Sequence, residues 1–230
     1  MKPNNIYCCD NLELMSQIPD STIDLIYCDV LYGTGRKFKD YQDLKPKREI
    51  IEEHYLPRIK EMHRILKDTG SIYLQMDTSI NHWIRCIMDD VFGYDNFLNE
   101  IIWCYGAGGY PNNKFGTKHD DILFYKKNRY KHNLLRNANG CRIKDYWNIK
   151  SIADKSGYLQ IDNEYKLYDT QKPKALIERI IKASSNEGDL VADFYAGSFT
   201  TAEVCKDLNR NFIGCDINPR AVEIGKKRCT

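Results

Sequence analysis

Residues 189–219, DLVADFYAGSFTTAEVCKDLNRNFIGCDINP, constrain this chain more than any other stretch. Residues 189–193 read as a short buried strand, 194–198 as a tight turn, 200–208 as a helix, and 211–215 as a second apolar strand ending in Asp216. A strand–turn–helix–strand of this length is one βαβ half. Gly197 lets the backbone approach a ligand closely, and Ser198, Thr200 and Thr201 bring hydroxyls and amides to a helix start. Asp216 follows Asp193 at the spacing that puts a carboxylate on ribose hydroxyls. The unit reads as a nucleoside-binding half. A pyrophosphate would require the three glycines of G-x-G-x-x-G. Only Gly197 is present, which disfavours a dinucleotide and with it a nicotinamide oxidoreductase. Taken alone, the stretch is also compatible with a core turn that holds no ligand.

The rest of the chain supplies more of the same alternation. Strands are expected at 5–9, 23–28, 71–75, 98–105 and 121–125, and helices at 12–18, 49–66, 80–92, 175–183 and 219–227. Gly70 is expected to stop the second helix. Alternating strands and helices imply an α/β fold with a parallel, doubly wound sheet. A nucleoside half at the end of the chain must recruit its remaining strands from the N-terminal part. Asp10, Asp29, Asp193 and Asp216 each end a predicted strand, where a ligand of such a sheet sits. Strand-end aspartates also serve as ordinary turn formers, so the pattern alone admits a reading as caps.

Composition sets outer limits. The 230 residues fit one domain with a substantial core, and a formal net charge of +2 means that any nucleic-acid footprint is local. Nine cysteines are an odd number without a C-x-x-C pair. Cys8, Cys28 and Cys215 fall in apolar runs, the pattern of reduced thiols in a cytoplasmic protein without a zinc or other metal site. No apolar run approaches membrane-spanning length.

Several blocks, in order along nearly the whole chain, resemble the β group of DNA amino-methyltransferases. Asp29-Val-Leu-Tyr32 falls where that family carries Asp-Pro-Pro-Tyr. Asp193-Phe-Tyr-Ala-Gly-Ser-Phe-Thr200 is similar to its Asp-Pro-Phe-Ala-Gly-Ser-Gly-Thr turn. The segments 64–73, 92–103 and 119–126 resemble its middle blocks, Thr170-Gln-Lys-Pro173 its cofactor motif before a helix, and Gly214-Cys-Asp-Ile-Asn-Pro219 its ribose-binding end. The resemblance implies a Rossmann-like, seven-stranded methyltransferase sheet over residues 1–230, with the catalytic strand before the cofactor turn in a circularly permuted motif order. It implies S-adenosylmethionine as donor and the exocyclic amine of a base flipped out of double-stranded DNA as acceptor. Asp29 and the carbonyl of Val30 then accept the amine's hydrogens within Asp29-Val30-Leu31-Tyr32, and Tyr32 stacks on the base. Asp10 meets the cofactor's adenine edge, Asp216 its ribose and Lys172 its methionine carboxylate. Asp193, Tyr195, Ala196, Gly197, Ser198, Thr200 and Thr201 wrap its methionine end. Adenine N6 is favoured over cytosine N4, because the family's cytosine enzymes more often open the catalytic motif with serine. A restriction–modification setting follows from the same resemblance. A second copy of the chain, a partner methyltransferase subunit and a cognate restriction nuclease are the protein partners it allows.

The chain also departs from that pattern. Val30 and Leu31 replace both prolines of the catalytic tetrapeptide, Phe194 stands for another proline, and Tyr168-Asp169 stands where His-Pro is usual. Phe199 replaces the second glycine of the cofactor turn. Bulkier residues at these positions are expected to crowd the site. They open a second reading, an inactive relative that binds DNA or pairs with an active subunit. Residues 126–150 carry eight Lys or Arg against one acid, Asp145, with Tyr130, Tyr146 and Trp147 interleaved. Such a stretch suits phosphates and bases, although a charge run is as often a solvated face. Lys126, Lys127, Arg129, Lys131, Arg136, Arg142 and Lys144 are the DNA candidates here. The segment 129–169 is the expected short target-recognition insertion. Lys37 and Lys39, with Lys45, Lys47 and Arg48, form a second candidate arm in the polar loop after Tyr32.

Overall fold

The computed structural model describes residues 3–37, 42–106, 109–152 and 170–229. Eight strands form one sheet in the order β1-β8-β7-β2-β3-β5-β4-β6. They are β1 (Asn5–Cys8), β2 (Ile23–Asp29), β3 (Leu66–Met76), β4 (Phe97–Cys104), β5 (His119–Lys126), β6 (Tyr146–Asn148), β7 (Leu190–Asp193) and β8 (Asn211–Asp216). The helices are α1 (Asn11–Ser16), α2 (Arg48–Ile65), α3 (Asn81–Phe92), α4 (Lys174–Ser184), α5 (Thr200–Asp207) and α6 (Pro219–Cys229).

The expected alternation is present, with three differences. First, β5 runs antiparallel between β3 and β4, so the sheet is mixed rather than wholly parallel. Second, a short eighth strand, β6, pairs parallel with β4 through Ile102, Trp103 and Cys104, which extends the expected seven. Its three residues are too few to give a periodicity, so the sequence hid it. Third, α2 ends at Ile65 and β3 begins at Leu66 with no loop between them. Gly70 lies inside β3, where the β2–β3 register shifts; a Cβ there would meet the Leu66 side chain at 2.7 Å. Gly70 therefore serves a bulge, not a helix stop.

Both faces of the sheet are covered, which is why its central strands read as nearly continuous apolar runs. Ile26, Cys28, Ile72, Leu74 and Ala192 pack with α1, α2 and α3, while Leu25, Tyr27, Tyr73 and Val191 pack with α4, α5 and α6. The chain leaves β7 for β8 on one side and leaves β2 for β3 on the other. The switch between β7 and β2 opens a crevice at their carboxyl ends, beside Asp193 and Asp29.

Phe199 corrects the expectation of a crowded cofactor site. It takes the left-handed conformation (φ 56°, ψ 31°) that a glycine would adopt freely, and its ring turns away from the crevice into the core. There it meets Phe212 edge-on at 6.3 Å, over Gly225, where an added Cβ would come within 2.5 Å of the ring. Phe199→Gly would relieve about 1 kcal/mol of backbone strain but empty a site whose filling is worth about 3–5 kcal/mol. The variant should unfold at lower urea with a net loss of about 2–4 kcal/mol; a more stable variant would contradict this packing.

Candidate active site

Asp193 ends β7 fully buried, and its carboxylate accepts the Tyr195 amide at 3.1 Å and the Thr201 hydroxyl at 2.6 Å. That clamp draws residues 194–201 into a closed turn. The Ala196 amide then reaches the Cys215 carbonyl at 3.1 Å, and the Gly197 amide reaches Asp216 at 2.9 Å. Asp216 also accepts from the Asn218 amide, so each of its oxygens keeps acceptor capacity for a hydroxyl pair. Burial pushes Asp216 up from the ordinary carboxylate range.

At the neighbouring strand end, Asp10 caps α1 through the Leu12 amide and receives Arg58 Nη2 at 2.9 Å. Arg58 also holds Asn11 Oδ1, and Asn11 donates to the Phe194 carbonyl. His54 Nε2 lies 3.0 Å from the Tyr195 hydroxyl; burial and the Arg58 charge hold this imidazole down at about 4, hence neutral at pH 7. His54 and Arg58 escaped the sequence reading because α2 carries them within an ordinary amphipathic pattern, and Asn11, the first residue of α1, carried no signal beyond its place after Asp10.

Asp29 ends β2. Its Oδ2 pairs with Lys172 Nζ at 2.5 Å and its Oδ1 accepts the Tyr32 hydroxyl at 2.8 Å. The same hydroxyl lies 2.6 Å from Asp120 Oδ2. Gln75 Nε2 reaches Asp120 at 2.9 Å, and Tyr105 donates to Asp120 Oδ1 at 2.9 Å. A phenol has one proton to give, so both carboxyl contacts are hydrogen bonds only when the pair shares a further proton. Burial raises Asp29, opposed by the Lys172 charge and its hydrogen bond. Burial with two carboxylates beside it raises the Tyr32 phenol, which stays protonated. The Lys172 ammonium also stands 5.2 Å over the Tyr32 ring. Asp120, Gln75 and Tyr105 were missed; the acidic pair after His119 was the available signal.

The missing prolines are compensated. The Val30 amide, which proline would lack, donates to the Gln75 carbonyl at 3.0 Å and prolongs the β2–β3 ladder. The Leu31 carbonyl accepts the Tyr55 hydroxyl at 2.7 Å. Gly33 follows at φ 64°, with a Cβ excluded by Ile80, and buried Asp43 gathers the amides of Gly33, Thr34 and Leu44.

All four residues of the catalytic segment and all ten expected cofactor residues line one cavity of ≈ 680 Å³. Its wall carries five carboxyls, Asp10, Asp29, Asp43, Asp193 and Asp216, against Arg58 and Lys172 as permanent cations. An acid-rich cleft suits a ligand that carries or gains positive charge. Among the described residues no cluster of His, Cys, Asp and Glu could hold a metal, and no helix is long and apolar enough to cross a membrane.

The basic stretch divides. Lys126 pairs with Ser71 and therefore ends β5 at the edge opposite the cavity. There Lys127 Nζ donates to the Leu66 carbonyl at 2.8 Å, the Arg129 amide to the Asp68 carbonyl, and Lys131 bridges Asp24 and Asp189. This corrects the expectation of one DNA-facing run: the charges of Lys127 and Lys131 are already engaged within the protein. Arg136 and Arg142 bridge a small exposed turn, and Lys144 donates to the Tyr146 hydroxyl on the sheet's edge strand. Lys37 pairs with Gln42 in the loop beside the cavity. Lys39 and residues 153–169 of the expected recognition insertion, including Tyr168-Asp169, lie outside the described residues.

The closed turn after β7 and the Asp29–Tyr32 pair at the end of β2 thus open on one cleft. Residues 23–227 match the DNA methylase family of N6 and N4 enzymes. The chain is 31% identical to the type II methyltransferase M.HpaI of Haemophilus parainfluenzae, over 97% of its own length and 73% of that protein's. It is equally similar to the DNA adenine methyltransferase YhdJ of Escherichia coli (strain K12), over 95% and 80% of the two chains. Its fold matches PvuII DNA methyltransferase (cytosine-N4-specific) with a TM-score of 0.78 at 20% identity, covering 99% of this chain and 88% of that one. It also matches the M1.HpyAVI–SAM complex with a TM-score of 0.67 at 22% identity, covering 97% and 98%. The chain belongs to the N6/N4 DNA methylase family. It is a DNA amino-methyltransferase.

Burial raises Asp193 from 3.8 to about 7. The folded state thus holds this proton more tightly than the unfolded chain. The associated stability is full below about pH 4, declines as pH rises, and is lost above about 7. Asp193→Asn removes that titration. Urea unfolding of the variant should show a shallower decline between pH 4 and 7 than the unaltered protein, and equal slopes would refute the assignment.

Proposed function

We propose that the chain methylates the N6 amine of adenine in double-stranded DNA within a restriction–modification system. The observation that carries this reading is that Asp29 and the Gly197 turn face one cavity. The bound cofactor supplies an activated methyl group. The chain's own residues do the rest. Asp10 takes the adenine edge, held in place by Arg58. Asp216 takes the ribose, and the turn from Tyr195 to Thr201 closes on the methionine end. Lys172 turns from Asp29 to the methionine carboxylate, which frees Asp29 Oδ2 for the incoming amine. An aromatic amine is a poor nucleophile because its lone pair is delocalised into the ring. Hydrogen bonds to Asp29 and the Val30 carbonyl draw that lone pair out, and Asp29 removes the proton as charge develops. The Tyr32 ring, fixed through its hydroxyl, supports the extruded base.

Aspartate rather than serine at position 29 favours adenine. Phe199 packs into the core and hydrogen bonds hold the backbone at Val30 and Leu31, which supports an active enzyme over an inactive relative. Lys37, Lys45, Lys47 and Arg48 lie in or beside the loop at the cavity and supply phosphate contacts.

Transfer of labelled methyl groups to unmethylated duplex DNA, followed by nucleoside analysis, tests this directly. N6-methyladenine is expected, and Asp29→Asn should lower transfer about 100-fold or more with cofactor affinity changed only a few-fold. N4-methylcytosine would overturn the base assignment, and cofactor binding without transfer would favour the inactive reading. Lys131→Met should lower the melting temperature and leave the salt dependence of DNA binding unchanged; a shallower salt slope would return Lys131 to the DNA face.

A further inference from the structure

The loop between β4 and β5 holds the two most exposed large apolar side chains among the described residues, Phe115 at 99% and Tyr110 at 81%. Two exposed aromatics on one loop, in a chain that buries or half-buries most of its described rings, point to a partner surface. The loop's base is fixed beside the acceptor site. The Tyr105 amide donates to the Lys118 carbonyl at 2.9 Å, and the Tyr105 hydroxyl reaches Asp120, which touches Tyr32. Above that base the two limbs pinch together. A Cβ on Gly116 would meet the Gly109 carbonyl at 3.2 Å, so the six residues from Tyr110 to Phe115 project as a tip. The tip is basic as well as aromatic. Lys118 Nζ lies 4.1 Å over the Tyr110 ring, and Lys114 precedes Phe115.

We propose that this tip is a wedge for double-stranded DNA, in which Phe115 enters the base stack at the position vacated by the flipped base while Lys114 grips the adjoining phosphate. The inference rests on the reading that the chain acts on a base withdrawn from a duplex. A swung-out base leaves a gap in the stack, and an apolar ring inserted there offsets part of the lost stacking. The occupant follows from charge and position. The cations are those a phosphate backbone requires, the aromatic is uncovered, and the loop rises from the edge at which the amine must meet Asp29.

Phe115→Ala and Phe115→Trp in the full chain test the wedge, and full exposure makes both compatible with folding. Unmethylated genomic DNA, native or heat-denatured, serves as probe. Phe115→Ala should lose tenfold or more in methyl transfer to native DNA and less than twofold on denatured DNA, whose bases are already unstacked. Unchanged transfer to native DNA, or equal losses on both forms, would overturn the wedge. The tryptophan variant gives a readout that needs no turnover: its emission should be quenched on binding native DNA, and unchanged emission in the bound complex would overturn the wedge. Absent transfer by the unaltered protein would count against the methyltransferase reading, while the emission of DNA-bound Phe115→Trp would still decide the loop's role. Failure of the unaltered protein to bind DNA would overturn both.

Discussion

The buried Asp193 carboxyl organises this edge of the sheet. By taking the Tyr195 amide and the Thr201 hydroxyl it converts the exit from β7 into a closed turn. That closure delivers the Gly197 amide to Asp216 and the Ala196 amide to β8. The arrangement opposes ionisation, since Asp193 is dry and sits near Asp29 and Asp216. A cleft with surplus negative charge is a poor environment for another anion and a good one for a sulfonium.

The acceptor half shows how a motif can lose its rigid residues and keep its geometry. Proline fixes a dihedral locally. Here the fixing is distributed: the Val30 amide joins the β3 ladder, Tyr55 of α2 holds the Leu31 carbonyl, and Ser79 holds the Tyr32 carbonyl. The Tyr32 phenol is bound at the other end by two carboxyls from different strands. Asp29 is in turn paired with the Lys172 ammonium. Asp29 is therefore paired rather than open.

Charge outside the cleft follows the direction of β5. Because that strand is antiparallel, its end and the basic run after it lie at the edge remote from the cavity. Lys131 there neutralises Asp24 and Asp189, and Lys127 ties the α2–β3 junction. The β4–β5 loop joins the other end of the same strand, where Asp120 meets Tyr32.

The sequence by itself determined most of the elements, the four strand-end aspartates and the nucleoside turn, because periodicity, glycine placement and short-range spacing are local properties. The resemblance in motif order led to the expectation that Asp29 and Gly197 share one site, and the cavity they both line is a property of the packed chain. Tertiary structure alone decided the direction of β5, the brief β6, the inward rotamer of Phe199 and the partners of Asp29. Each of these depends on what a distant segment offers: Gly225 makes room for a ring at 199, and Asp120 reaches a phenol 88 residues earlier. A residue's type and neighbours in sequence do not specify such partners, because burial and ion pairing are properties of the packed chain and not of any window within it.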